Sequence, residues 1–385
     1  MMIVSLTEFP GSLELWEIIF LGLFLFMFLV RLVSDLVFYG KVAFYRSKPR
    51  GIPDQLSTLS LIITLRNEEE NVKENLPKVL SYMTGRGEVI VIDDFSQDQT
   101  YTLLGLIREQ FPNLKFSSLN QEIRHSVKVS QNIGLKAATG EWVIFLPPVI
   151  GNIPENWLLL LQNSYLNDKN AIIGYLNIKP SRGFFNHLWR LESFFQQLKS
   201  FSFLLNGLGF VVNEENIAFR KSAYFSQGGY GKKINEVYAN LELIINNFIR
   251  KKTTVLNFEN DSAIRLPVSK SRNDYIDLLN KYKRIRSHLP FYKRAAFVAD
   301  ACIRFLWLVL SVAAIIWFFD IWIFVATLFA LKLVIRGIVI KLCLNRLKEK
   351  KLFLSSVIYD ALMPYRLIFA GGSMYRRVIK RRWKK

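Results

Sequence analysis

The sequence predicts an α/β domain with a mostly parallel sheet, set between apolar segments long enough to cross a bilayer. Three observations predict it. Between residues 57 and 266, short β-type runs alternate with helix-length amphipathic runs, the pattern of strands joined by crossover helices. Ile18 to Val30 carries no charge, and a second apolar block runs from Phe305 past Asp320 and fades towards Leu344. Basic residues bracket both blocks, and 51 Lys and Arg against 31 Asp and Glu give a net charge of +20.

With 51% hydrophobic residues over 385 positions, the chain is neither a disordered tail nor a fibre. Cys302 and Cys343 both lie in apolar stretches, which argues against a disulfide framework and a cysteine metal site. Three histidines leave little for imidazole-based metal chemistry.

Taken in order, residues 1–14 form a short external N-terminus and 15–40 a transmembrane anchor, whose length from Leu15 to Tyr39 suits a bilayer-spanning helix. Arg31 and Asp35 interrupt it on one helical face, where they can pair or snorkel. Glu8, Glu14 and Glu17 precede the apolar run and no basic residue does, so the segment reads as a retained anchor rather than a cleaved signal. Lys41, Arg46, Lys48 and Arg50 fill a basic linker over 41–56, and the positive-inside rule puts the following domain in the cytoplasm.

The domain at 57–266 carries strand-like runs at 59–65, 88–93, 114–119, 141–146, 171–176, 216–219 and 253–258. After the first, Asn67 is placed to cap a helix with Glu70 as its capping-box partner, running through Leu76, Val79 and Leu80 and stopping at Gly85 to Gly87. Phe184 to Leu205 has Phe184, Leu188, Leu191, Phe195 and Leu198 at helical spacing. It suits either a membrane-interface helix steering an acceptor or a core helix. Residues 267–299 form a basic interfacial segment, 300–344 a transmembrane hairpin turning near Asp320, and 345–385 a re-entrant or interfacial helix with a basic tail. Seven basic residues from Arg376 to Lys385 then stay on the cytoplasmic side, against anionic lipid headgroups. Charge gathered around apolar segments, with no zinc-finger, RRM or homeodomain pattern, points to membrane surface and not to nucleic acid.

Open parallel sheets bind ligands beyond the carboxyl ends of their strands. There the sequence places Arg66, Asn67 and Glu68, then Asp93, Asp94 and the turn Phe95 to Thr100, then Leu146 to Pro154. Each has a bland reading: the paired aspartates as turn and cap acids, Arg66 to Glu70 as a solvated helix start.

Their joint order is more specific. LSLIITLRNEEENVKENLPKVL, EVIVIDDFSQDQT, VKVSQNIGLKAATGEWVIFL and PENWL at 154–158 together resemble membrane-bound family 2 glycosyltransferases with the GT-A fold, of the processive-synthase-like and bacterial envelope branches. The resemblance implies a UDP- or GDP-linked sugar donor, a lipid or glycan acceptor, and a multi-pass protein of a bacterial-type inner membrane. It places Asp94, with Asp93, at the base and ribose, and Arg66 or Glu68 beside the nucleoside. It also places Lys128, Asn132 and Gly134 on the helix lining the donor cleft.

Three departures accompany it. The family holds Mg2+ or Mn2+ through an Asp-x-Asp after the fourth strand. Here Pro147, Pro148, Val149 and Ile150 stand there, with no carboxylate between Glu141 and Glu155, so no metal ligand is assigned. The family's Glu-Asp pair, which supplies the base, is Ala239 and Asn240. Asn cannot accept a proton, and Glu236 is a substitute or simply a helix-start acid. The expected Gln-x-x-Arg-Trp is KYKRIRSHL at 281–289, where Arg284 or Arg286 meets a diphosphate or merely lies on headgroups. The resemblance with these gaps implies impaired or metal-independent transfer. The alternative is a catalytically inactive relative serving as a nucleotide- or partner-binding membrane scaffold.

Overall fold

A computed structural model describes residues 14–46, 59–122, 126–151, 153, 154, 157, 168–258, 262–317 and 322–369. The first element, α1 (Leu15–Phe44), is helical throughout, with a π-helical turn at Ser34–Tyr39. It is therefore longer than the anchor expected over 15–40.

Among the described residues, β1 (Leu59–Leu65), β2 (Glu88–Asp93), β3 (Leu114–Ser118), β4 (Trp142–Phe145), β5 (Ala171–Gly174), β7 (Ile217–Arg220) and β8 (Thr254–Asn257) form one sheet, ordered β3-β2-β1-β4-β7-β5-β8. Only β7 runs antiparallel to its neighbours β4 and β5. The run expected at 171–176 divides after Gly174 into β5 and a short β6 (Leu176–Ile178), which pairs in parallel with β9 (Ile264–Leu266). No sequence signal announced β9.

Leu61, Ile63 and Leu65 pack with Val89 and Val91 on one face of the sheet, while Ile62, Ile90 and Ile92 enter a second cluster on the other. A sheet covered on both faces explains why its strands read as apolar runs rather than strict alternations. The covering helices include α2 (Glu69–Glu74), α3 (Leu76–Met83), α4 (Thr100–Gln110) and α5 (Ser126–Ala137). A Cβ at Gly134 would lie 2.6 Å from Ile62 Cγ2, so α5 approaches β1 this closely because that position has no side chain.

One local expectation needs correction, and one open alternative is decided. Asn67 does not cap a helix. It sits in the left-handed region (φ 53°), α2 starts after Glu68, and the Asn67 side chain instead accepts a hydrogen bond from the Gln97 N–H. Asn and its short polar side chain tolerate that conformation, which a β-branched residue would not. The helix also breaks at Asn75, before Pro77 in the first turn of α3.

The open alternative concerns α6 (Phe184–Leu205), expected as either a membrane-interface helix or a core helix. It is a largely buried helix, packed against α9 (Arg272–Ser287) and the end of α1, which agrees with the core-helix alternative. Several of its polar residues have partners: Arg190 pairs with Glu349 at 2.7 Å, Lys199 with Asp300 at 2.7 Å, and Gln197 Oε1 accepts from the Leu176 N–H at 3.0 Å. Buried polar groups demand such partners, and these bind the domain to the C-terminal helices.

Between β7 and α9 come α7 (Lys221–Phe225) and α8 (Glu242–Phe248). The last three helices are α10 (Phe291–Trp317), α11 (Trp322–Arg346) and α12 (Phe353–Phe369). Helices α1, α10 and α11, of 30, 27 and 25 residues, are long and apolar enough to cross a membrane. The turn expected near Asp320, the Lys48 and Arg50 part of the basic linker, and the tail from Arg376 lie outside the described residues.

Candidate functional site

The ends of β1 and β2 are flush, because Leu65 pairs in register with Asp93, and the Asp94 N–H donates to the Leu65 carbonyl at 2.8 Å. The loops that leave them are clasped together. Asn67 N–H donates to Ser96 Oγ at 2.9 Å, Gln97 N–H to Asn67 Oδ1 at 2.8 Å, and Glu68 N–H to Thr100 Oγ1 at 3.1 Å. Asn67 and Phe95 both adopt positive φ, 53° and 58°, to make these reversals. Asp93 is buried, and its Oδ1 accepts from the backbone N–H and hydroxyl of Ser96, so this carboxylate shapes the turn. Asp94 beside it is also buried. Glu68 accepts from Asn71 Nδ2 at 2.6 Å, and Arg66 reaches Glu122 at 2.8 Å from a partly exposed position. Thus Arg66, Glu68, Asp93 and Asp94 share one edge of the sheet.

Lys128 is in a different constellation. From the first turns of α5 its ammonium donates to the carbonyls of Ile234 and Glu236, and burial holds its pKa below the ordinary lysine value. Glu236 in turn grips Arg284: its Oε2 lies 2.8 Å from Nε and 2.7 Å from Nη2. Its Oε1 accepts from the N–H groups of Val237 and Tyr238 at 3.0 and 3.3 Å. Burial alone would raise this carboxyl, but Arg284 and the two N–H groups outweigh it and hold the pKa below the usual value. A carboxylate so stabilised is a weak proton acceptor. Nor does Glu236 open a helix, since α8 begins only at Glu242. Arg286 parts from Arg284: its Nε donates to the Tyr282 carbonyl at 3.3 Å, and its guanidinium lies 5.9 Å from the Phe297 ring centre.

Asn240 precedes α8, and its N–H donates to Glu242 Oε2 at 3.0 Å. Around it stands a carboxylate group that sequence reasoning missed. Glu214 is buried and accepts from the Leu241 N–H at 3.0 Å. Glu242, wholly buried, is ion-paired with Lys281 of α9. Burial first, then the neighbouring Glu242 charge, pushes Glu214 up to about 8, while the carboxylates Glu242, Glu214 and Glu215 override burial and push Lys281 above the ordinary lysine value. Glu215 bridges in parallel to Phe145 at the end of β4, the edge from which the family's Asp-x-Asp would project. It lines a cavity of about 270 Å3 together with Asp277, Lys270, Lys281, Tyr238 and Trp189. The one sequence signal was the acidic pair in Asn213-Glu214-Glu215-Asn216, just before a strand-like run.

Pro147 to Ile150 supply no oxygen ligand of their own side chains, and Glu155 lies outside the described residues. Among the described residues, no group of three or more His, Cys, Asp or Glu side chains converges closely enough to hold a metal ion. The residues present at the end of β4 therefore do not fit the divalent ion that the resemblance implies.

Residues 60–223, spanning β1 to β7, match the family model for glycosyl transferase family 2. Among solved structures, the chain is similar to a mannosyltransferase from Pyrobaculum calidifontis in complex with GDP-Man and Mn2+, at 14% identity, covering 86% of this chain and 100% of that one, with a TM-score of 0.48. It is similar as well to S. aureus TarS 1–349 in complex with UDP-GlcNAc (15% identity, 60% and 66% of the two chains, TM-score 0.37). A third is glucosyl-3-phosphoglycerate synthase from Mycobacterium tuberculosis in complex with uridine-diphosphate (15%, 64% and 87%, TM-score 0.39). No curated protein sequence matches the chain. Residues 60–223, from β1 to β7 of the mostly parallel sheet, thus match glycosyl transferase family 2, and three helices of bilayer-spanning length flank that region.

Proposed function

We propose that the chain transfers a glycosyl group from a UDP- or GDP-linked sugar to a lipid or polysaccharide acceptor in envelope glycan synthesis. The domain would lie on the cytoplasmic face of a bacterial-type inner membrane, with its basic residues against anionic lipids. The observation that carries this reading is the cavity beside β4 that Glu215 and Lys281 line, on the same edge of the sheet as Asp93 and Asp94. In this reading Asp94 and Arg66 receive the nucleoside, the carboxylate accepting its N–H and hydroxyl protons. Glu215 takes the proton from the acceptor hydroxyl in place of the amide at Asn240. Glu214 and Glu242 hold the loop 239–241 and the Lys281 ammonium at the cavity wall. Lys281 offers fixed positive charge to a developing diphosphate, the role that basic side chains fill where no metal is bound. Glu236 and Arg284 form a supporting pair rather than a base and a free phosphate ligand.

A second reading, an inactive nucleotide- or partner-binding scaffold, is favoured by Asn240 and by the carboxylate-free stretch from Pro147 to Ile150. Donor turnover separates the two. Purified full-length protein in lipid discs is expected to release UDP or GDP from a nucleotide hexose, at a rate unchanged between excess chelator and millimolar Mn2+. A rate that appears only with Mn2+ would refute metal independence, and no release with any donor under either condition would favour the scaffold.

A further inference from the structure

The membrane helices enclose a charged layer that the donor site does not use. Arg31 of α1 lies 3.5 Å from Asp35, and Arg336 of α11 bridges Asp35 at 3.1 Å and Asp360 of α12 at 2.8 Å. Arg304 of α10 joins Asp360 at 3.1 Å and Asp300 at 3.4 Å, and Asp300 accepts Lys199 from α6. Lys332 of α11, only 9% exposed, pairs with none of these carboxylates. Five cations against three carboxylates leave a surplus of two positive charges in a buried layer.

Ions at membrane depth persist when they are paired or when they serve a ligand or pathway. Here the pairing is incomplete in a definite place. Arg31 is 1% exposed, yet its Nε and Nη1 have no hydrogen-bond partner among the described residues. Arg31, Arg304, Lys332, Arg336 and Asp360 all line one cavity of about 80 Å3. A single water requires about 10–15 Å3 of such space, so a small anionic group fits. The remaining wall is apolar, including Phe329 and Leu333, and Leu333 is 36% exposed on the outer surface of the bundle.

Depth supplies the next constraint. Counted from the helix ends that join the domain, Arg31, Arg304 and Arg336 lie roughly 15–20 Å along their helices at 1.5 Å per residue. Beyond them towards the far side, Phe305 to Trp317 and Trp322 to Leu331 carry no charge. The layer thus marks the domain-side edge of the uncharged helical runs.

We infer that this cavity binds the phosphate monoester headgroup of a membrane lipid, which enters sideways past Leu333 with its chains left along the apolar bundle surface. A dianionic monoester matches the surplus of two charges and presents three oxygens to the Arg31 and Lys332 donors that lack partners. The inference rests on the membrane helices alone and needs no particular donor or acceptor chemistry.

The test is lipid retention, read by native mass spectrometry on the full-length protein in mixed-lipid discs without any nucleotide sugar. The probes are phosphatidic acid, diacylglycerol with the same chains, phosphatidylglycerol and inorganic phosphate. The wild type is expected to hold one phosphatidic acid in preference to the other lipids, and to weaken at least tenfold in Lys332→Met and in Arg31→Gln. Lys332 makes no ion pair among the described residues, so its variant keeps the test open if Arg31→Gln misfolds. Equal retention of diacylglycerol or phosphatidylglycerol would overturn the monoester site. Unchanged phosphatidic acid binding in a Lys332→Met protein of unaltered melting temperature would overturn it as well. Displacement of the lipid by equimolar inorganic phosphate would show a free-anion site instead and overturn the lipid source. A chain that releases nucleotide from its donor but retains no phosphatidic acid loses this inference and keeps the transfer reading; the converse result separates them the other way.

Discussion

Glu215→Gln lowers donor-to-acceptor transfer by about 10²–10⁴-fold, the range over which a positioned general base acts, while nucleotide affinity stays unchanged. The substitution keeps the shape of the side chain and removes only its capacity to accept a proton. Glu215 is the member of the 214–215 pair that reaches the 270 Å3 cavity, whereas Glu214 faces inward and accepts from the Leu241 N–H. A steady-state comparison of kcat and KM for the two proteins checks this. A fall confined to KM would assign Glu215 to binding, and no fall at all would remove it from the reaction.

Lys281→Met destabilises the domain by about 3–5 kcal/mol, the cost of leaving a buried carboxylate without its partner. Glu242 is 0% exposed and ion-paired to Lys281, Glu215 adds further negative charge nearby, and the Glu214 carboxyl is already pushed up to about 8. Removal of the ammonium leaves these acids facing one another, and protonation of one is the cheapest response. The double substitution Lys281→Met with Glu242→Leu recovers a large part of the loss, because the isolated charge then goes too. Chemical denaturation of the two variants and the wild type measures both effects. A single variant as stable as the wild type would show that the pair is not coupled as its geometry requires.

Much of the architecture was legible because the parallel strands are buried on both faces. LSLIITL and EVIVID become β1 and β2 without a residue's change in their bounds. The short parallel pair was not legible: β6 and β9 have three residues each, and β6 contains Asn177, whose side chain bonds within the buried network around Glu349. The reversed direction of β7 is a property of topology, and no local pattern encodes it.

That Arg66, Glu68, Asp93 and Asp94, the residues proposed for the nucleoside, share one edge was readable because adjacent strand ends place them by sequence alone. The proposed reaction centre was harder. Glu214 and Glu215 come from the approach to β7, Lys281 from α9 and Asn240 from the approach to α8, so only the folded chain brings them together. Motif spacing drew attention to the acids that are missing, at Pro147 to Ile150 and at Asn240, and away from those supplied by another strand. Arg284 and Arg286 were equivalent in sequence. The turn of α9 separates them, sending one to Glu236 and the other to Phe297.

The proposed transfer requires a nucleotide seat at the ends of β1 and β2. Calorimetric titration of UDP and GDP into the full-length protein and its Asp94→Ala variant tests that most directly. One nucleotide is expected to bind at a single site per chain and to weaken at least tenfold in the variant, the loss of a charge-assisted hydrogen bond of about 1.5–3 kcal/mol. Binding of equal strength in both proteins, or no binding to the wild type, would contradict it.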